Sequence, residues 1–357
     1  MADKQMESAL SKNSEGHHGD HEKSGTSTDI KKIFGSEVTS GNDGKSKSFL
    51  SATLETLSMR GGKEKKGDTF CKSLDEAMVE LKALVAQTRK HHADSCNNNS
   101  KDAWDFELTP LKDFDATEDD LLRAFALWSK KIYEKHDKEK QVFNVSKAFR
   151  RLESYIEWMD KNARDLDFQN GVTMKEIAKV WDMKMTHDKE GRLVWFCDLE
   201  ALDLKYIKHK LPHDDTFRYL VWLAHLIMFD KGMQENGVVL VYSIGSIGLF
   251  ESLTVVPLEM QSKFDSFTVG RLPIRVESII FYNNPTWMRL LMTFSKPFLS
   301  KKMLSRLTLI KKEDPRKVIE GQLGRDCIPA NMAQLGGTLE KDLIQDRFEL
   351  LSSRSNI

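Results

Sequence analysis

An α/β fold is predicted for this chain: an N-terminal helical lobe, then a mainly parallel sheet flanked by helices. Three observations carry that expectation. Apolar residues recur at helical spacing through residues 116–162. From residue 192 onward, short β-branched and aromatic runs alternate with helix-length segments. Turn residues such as Asn283-Asn284-Pro285 punctuate the alternation. Strands joined by helices of this length need crossover connections, which makes the sheet mainly parallel.

Taken in order, residues 1–70 are rich in Ser, Gly, Lys and Asp and poor in aromatics. Such a composition cannot bury enough surface to offset ordering entropy, so a disordered tail is expected. Its His17-His18-Gly19-Asp20-His21 run reads as solvated rather than metal-binding, and 49–59 as a transient helix at most. Residues 71–103 comprise an amphipathic helix and a polar linker, with Leu74, Ala77, Met78, Leu81, Leu84 and Val85 at helical spacing. Ser73 and Glu76 make its capping box. The mixed charges on its polar face favour packing on the main domain over lying on a membrane.

Residues 104–165 form the helical lobe. Thr117 to Asp120 caps a helix bearing Leu121, Leu122, Phe125, Ala126 and Trp128. Phe143-Asn144-Val145 opens a second helix with Leu152, Tyr155, Ile156 and Trp158 on one face. The charged stretch 134–140 between them is expected to be a lengthened loop, since surface insertions add little closure entropy. Residues 166–340 hold the α/β domain, with strands at 192–198, 238–247, 276–282 and 307–310 and helices at 216–234, 252–269 and 285–304. A C-terminal helix and tail fill 341–357.

Lys+Arg and Asp+Glu both number 54, so nothing global points to nucleic acid, and electrostatic targeting has to come from a local patch. The four cysteines form no CxxC pair, which fits a reducing compartment better than zinc or a disulfide framework. No apolar run reaches membrane-spanning length, the start lacks a signal-peptide core, and Ala2 stands where myristoylation needs glycine. A cytoplasmic protein, transiently peripheral on membranes, is expected. GxSxG, HExxH, CxxC and Walker sequences are absent, and His187, His209, His213 and His225 are dispersed. No catalytic residue, metal site or cofactor is therefore expected, and the chain does not read as an enzyme. Gly245-Ser246-Ile247-Gly248 lacks the third glycine and the acidic partner of a dinucleotide fingerprint.

The most informative stretch runs from Arg275 to Thr338. A strand ending at Tyr282 passes through Asn283-Asn284-Pro285 into an apolar helix that ends at Lys296-Pro297-Phe298-Leu299. A basic turn, a short strand and the Ile328-Pro329 to Gly336-Gly337-Thr338 turn follow. This order resembles the CRAL-TRIO lipid-binding family, whose gate helix carries a KPFL element and whose domain closes with an LPxxxGGT turn. The resemblance spans roughly residues 116–339, including the helical-lobe stretch FNVSKAFRRLESYIEW. It is closest in motif to the tocopherol-transfer and retinaldehyde-binding branch.

The resemblance implies an internal cavity holding one small hydrophobic lipid of tocopherol or retinoid size, closed by a gate helix. Trp287, Leu290, Leu291, Phe294 and Phe298 of the gate recur at spacings of three and four and so share a face. The expected lining comprises Trp222, Val241, Tyr242, Ile244, Phe250, Leu253, Phe264, Phe267, Ile279, Phe281, Trp287, Leu291 and Phe294. Burying roughly 400 Å² of cargo gains on the order of 10 kcal/mol gross, enough for tight binding after ordering costs.

Arg271, Arg275, Lys301, Lys302 and Arg306 flank the gate mouth, with Lys311 and Lys312 beyond. In the resembled branch the matching strand starts FPLKVR and contributes to a phosphoinositide-binding groove. LPIRVE here matches at Pro273, Arg275 and Val276, and places Glu277 at one basic position. Members that carry phosphatidylinositol hold its headgroup with polar side chains where this chain has Ile274 and Met303, so a cargo without a large headgroup is expected. Transfer of that lipid between phosphoinositide-containing membranes is the implied function. The alternative is a lipid-sensing adaptor that recruits a protein partner through its N-terminal region.

Overall fold

The computed structural model describes residues 67–354 except 96–110, 113, 136–137, 164–165, 167–170, 250, 252–254, 312 and 341. Residues 1–66, with their histidine cluster and the segment 49–59, lie outside the described residues.

The helical lobe begins with Phe70–Cys71 (β1) and Leu74–Ser95 (α1). Ser73 Oγ accepts from the Glu76 N–H at 3.1 Å, and Ala77, Leu81 and Val85 are buried at helical spacing. Glu118–Trp128 (α2) starts at Thr117, whose hydroxyl accepts from the Asp120 N–H while the Asp120 carboxylate accepts from the Thr117 N–H. The charged loop expected next is instead a hairpin, Lys130–Lys135 (β2) and Lys138–Asn144 (β3), in antiparallel register from Lys130↔Phe143 to Lys135↔Lys138. Ile132 and Tyr133 in β2, with Val142 and Phe143 in β3, supply the β-branched and aromatic residues that a lysine-rich composition hides. With β1 on its other side, β3 is the centre of a three-stranded sheet. Asn144 then caps Val145–Asn162 (α3), its side chain accepting from the Lys147 N–H at 2.8 Å.

Gly171–Trp181 (α4) leads to Lys184–His187 (β4) and Leu193–Asp198 (β5), a short antiparallel pair that turns at Gly191 with φ +71. After Leu204–His209 (α5), the helix expected over 216–234 divides into His213–Phe229 (α6) and Lys231–Asn236 (α7). Asp230 makes the break: its carboxylate accepts from the Met233 N–H at 2.7 Å and so caps a new helix. Val238–Ser243 (β6), Leu258–Gly270 (α8) and Val276–Tyr282 (β7) follow. The expected single helix over 285–304 is Thr286–Ser295 (α9), a 3-10 turn at Lys296–Phe298 and Lys301–Arg306 (α10). Pro297 offers no N–H to an α-helical turn, which accounts for the interruption. Leu307–Leu309 (β8), Pro315–Leu323 (α11) and Leu343–Arg354 (α12) complete the chain.

The main sheet has the order β4-β5-β6-β7-β8, antiparallel at β4–β5 and parallel elsewhere. The expected α/β class, with helices and a mainly parallel sheet, is the observed one. A single apolar core runs from Leu81 and Phe125 in the lobe through Tyr219 and Phe267 to Ile279 in the sheet. Arg151 of α3 ties lobe to domain by donating to the Leu272 and Val269 carbonyls at 2.8 and 2.9 Å.

Candidate functional site

The two faces of the main sheet differ. On one, Val194, Phe196, Val239, Val241, Ile280 and Tyr282 pack against Ile319 and Leu323 of α11 and against Ile328, Met332 and Leu335 of the closing turn. Val239 and Val241 are 0% exposed. On the other face Trp195, Leu240, Tyr242 and Phe281 are only half-buried, although β5, β6 and β7 are interior strands. Tyr242 is surrounded by protein, and burial next to Cys197 pushes its phenol well up. Its side chain nevertheless keeps intermediate exposure. Tyr242 stacks on Phe281 with centroids 5.5 Å apart and meets Trp195 at 6.5 Å.

The helix beside this face is α9. Its entry turn uses Asn283 at φ 49, a left-handed conformation that asparagine tolerates. The Asn284 side chain donates to the Phe281 and Ile310 carbonyls, both at 3.0 Å, and locks the turn to β7 and β8. Trp287 Nε1 donates to the Ile247 carbonyl at 2.8 Å, joining α9 to the loop after β6. Trp287, Met288, Leu291 and Met292 belong to the same apolar cluster as Leu240, Tyr242, Ile279 and Phe281. The closing turn is structural: a Cβ on Gly337 would collide with the Pro329 carbonyl, and Thr338 and Leu339 both donate to the Ile328 carbonyl.

Of the expected lining, Trp222, Tyr242, Phe264, Phe267, Ile279, Phe281, Trp287 and Leu291 all belong to the large apolar cluster that also runs into the lobe. Four of the expected residues have other surroundings. Val241 points to the closed face, because successive strand residues alternate sides. Phe267 stacks on Trp158 at 4.0 Å inside the lobe junction, and Trp222 stacks on Phe348 of α12 at 4.8 Å. Phe294 is 54% exposed and Leu290 40%: α9 is apolar on both sides, and its inward stripe is Met288, Leu291 and Met292. Ile244 is buried just beyond β6, while Phe250 and Leu253 lie outside the described residues. Trp195 and Leu240 were missed, although the i, i+2 pattern running back from Tyr242 identifies Leu240.

The basic rim is partly neutralised. Glu277 holds Arg275 at 2.9 Å and Arg306 at 3.5 Å, and Arg271 donates to the Ser266 carbonyl. Lys301 and Lys302 at the start of α10 are exposed. Burial, Arg306, Arg275 and Lys131 lower the Lys302 pKa, with Glu277 opposing. Lys147 of α3 is pushed down to about 8 by burial and by the charges of Arg151, Lys131, Lys302 and Arg150. Charges of the helical lobe therefore act on those of α10, a coupling not legible from their positions in the chain.

A cleft of ≈ 480 Å³ lies between β4, the end of α6 and α12, lined by Met185, His187, Phe229, Asp230, Leu343 and Arg347 among others. None of the residues expected to form a site lines it. His187 Nε2 is 2.9 Å from Asp230, and that hydrogen bond raises the imidazole pKa. At the lobe junction, burial pushes His225 down to about 4. The neutral ring accepts from the Tyr155 hydroxyl at 2.9 Å and donates to the Val221 carbonyl, a structural role.

Among the described residues no cluster of His, Cys, Asp or Glu is placed to hold a metal ion, and no helix is long and apolar enough to cross a membrane. The chain is similar to the crystal structure of Sfh5, at 14% sequence identity and a TM-score of 0.42, over 78% of this chain and 97% of that one. Residues 181–337 match the family model described as the CRAL/TRIO domain. That segment, from the end of α4 through the five-stranded sheet to the Gly336-Gly337 turn, is a CRAL/TRIO domain.

Proposed function

We propose that this protein binds one small hydrophobic lipid between the open sheet face and α9 and carries it between membranes. One observation carries the reading: in the central strand β6, Leu240 and Tyr242 keep solvent access while their neighbours Val239 and Val241 have none. The CRAL/TRIO match over residues 181–337 supports it. The cargo is a tocopherol, retinoid or similar molecule rather than phosphatidylinositol, since Ile274 and Met303 offer no hydrogen bond to an inositol ring. Docking on phosphoinositide-containing bilayers uses Lys301 and Lys302, with Arg271, Arg275 and Arg306 behind them. Exposed Leu290 and Phe294 supply apolar contact beside that charge. The gate pivots between the Asn283-Asn284-Pro285 turn and Pro297, where helical hydrogen bonding is already interrupted.

Mass spectrometry of lipid co-purified from native cells tests the cargo; predominantly bound phosphatidylinositol refutes this choice. Transfer of a fluorescent cargo between two vesicle populations tests the carrier. Binding without transfer refutes that role and points to a lipid-sensing adaptor.

A further inference from the structure

One face of the small β1-β3-β2 sheet is aromatic and basic. The strand registers Phe70↔Asn144, Lys131↔Val142 and Tyr133↔Lys140 put Phe70, Lys131, Tyr133 and Lys140 on the same side. Phe70 is 42% exposed and Tyr133 45%, and Ile132 on the reverse side is 52% exposed. The Lys131 ammonium sits 6.0 Å from the Phe70 ring. β2 is an edge strand, where exposed aromatic surface is costly to keep unless something covers it. The charges of Lys131 and Lys302 both act on Lys147, and that of Lys131 acts on Lys302, so this face continues into the cations beside the gate.

We propose that the β2–β3 hairpin of the helical lobe is a second contact with an anionic bilayer, Tyr133 and Phe70 entering the headgroup layer while Lys131 and Lys140 pair with lipid phosphates. Aromatic rings with polar or cationic neighbours suit that interface, and each cation near it adds attraction that salt screens. The inference extends the gate-side docking proposed above. It adds that the membrane holds the helical lobe and the gate together, fixing which way the gate opens relative to the bilayer. A single strand of RNA could stack on the same rings. Continuity with the gate cations favours the bilayer.

The test compares full-length wild type, the Lys131→Gln/Lys140→Gln/Tyr133→Ser variant and the Arg275→Ala/Lys302→Ala/Arg306→Ala variant by co-sedimentation. The vesicles are phosphatidylcholine with and without phosphatidylserine. With two cations removed, the hairpin variant should lose about thirtyfold in partitioning to the anionic vesicles, at an unchanged melting temperature. A Lys131→Arg/Lys140→Arg pair should keep wild-type sedimentation; loss in that pair overturns the charge contact. Loss in both the hairpin and gate variants supports the two-point contact. Loss in the hairpin variant alone supports the hairpin contact and removes the gate patch. If the hairpin variant sediments like wild type, the inference is overturned, whether or not the gate variant keeps its binding. Binding of a single-stranded RNA oligonucleotide without vesicle partitioning overturns it too.

Discussion

Leu240 and Val241 are adjacent on β6 and similar in chemistry, yet substitution by phenylalanine should have opposite consequences at the two positions. Val241 is 0% exposed and faces the side of the sheet closed by α11 and the 328–335 turn. A ring there has no room, and overpacking of this kind costs about 1–3 kcal/mol. For a folded region of this size each kcal/mol shifts the melting temperature by about 2–4 °C, so Val241→Phe should lower it by roughly 2–12 °C. Leu240 faces the open side and keeps solvent access. With the proposed lipid space above this face, the larger ring at 240 is accommodated, and stability should change by less than about 1 kcal/mol. It should instead occupy volume meant for cargo. Displacing about 50 Å² of lipid contact removes on the order of 1.2 kcal/mol, close to tenfold in affinity. Thermal unfolding of lipid-free protein and titration with a fluorescent tocopherol or retinoid read the two effects separately. Equal destabilisation by both substitutions, or undiminished lipid affinity in Leu240→Phe, would refute a lipid space above this face.

Glu277→Gln should strengthen partitioning to anionic vesicles several-fold, because Arg275 and Arg306 lose the carboxylate they share; unchanged co-sedimentation would show that these arginines do not meet the membrane. Phe294→Asp should weaken membrane partitioning and leave cargo retention intact, since that side chain faces solvent, whereas Leu291→Asp should release cargo; a reversal of the two would place the gate's inward stripe elsewhere. The His187–Asp230 hydrogen bond raises the folded-state pKa above the usual 6.5, so the fold holds this proton more tightly than the unfolded chain does. Its stabilisation is complete below the unfolded value and disappears as pH climbs through the raised one. Melting temperature should therefore fall more steeply over that window in wild type than in His187→Gln, and parallel profiles would contradict this assignment. Deleting residues 1–67 should leave melting temperature and lipid uptake nearly unchanged, because the deletion spares Asp68, whose carboxylate holds Arg150 at 3.0 Å; a large drop in either would show that the removed segment packs on the fold.

The parallel strands were legible because β5, β6 and β7 are dense in valine, isoleucine and aromatic residues and lie between turn residues. β4 was not: Lys-Met-Thr-His has no strong pattern, and its pairing with β5 is a tertiary fact. The β2–β3 hairpin was obscured by lysines that read as a solvated loop. At the site, alternation along β6 separates Leu240 and Tyr242 from Val239 and Val241, but it cannot say which set faces packed protein. The same limit applies to α9, whose two apolar stripes are equivalent in sequence and distinguished only by what lies beneath them. Phe267 and Trp222 look like lining by composition, and their stacking on Trp158 and Phe348 is a tertiary fact that composition does not carry.

The stacking of Phe267 on Trp158, the Tyr155–His225 hydrogen bond and the grip of Arg151 on two carbonyls beyond α8 all cross from the helical lobe into residues 181–337. Cutting the chain at residue 181 would strip a face from Phe267, remove the donor that keeps the His225 ring satisfied while neutral, and leave the carbonyls of Val269 and Leu272 without their donor. Residues 181–337 on their own should therefore fold less stably than together with the lobe. Lobe and domain should melt in one transition, and a mutation in either should be felt throughout both.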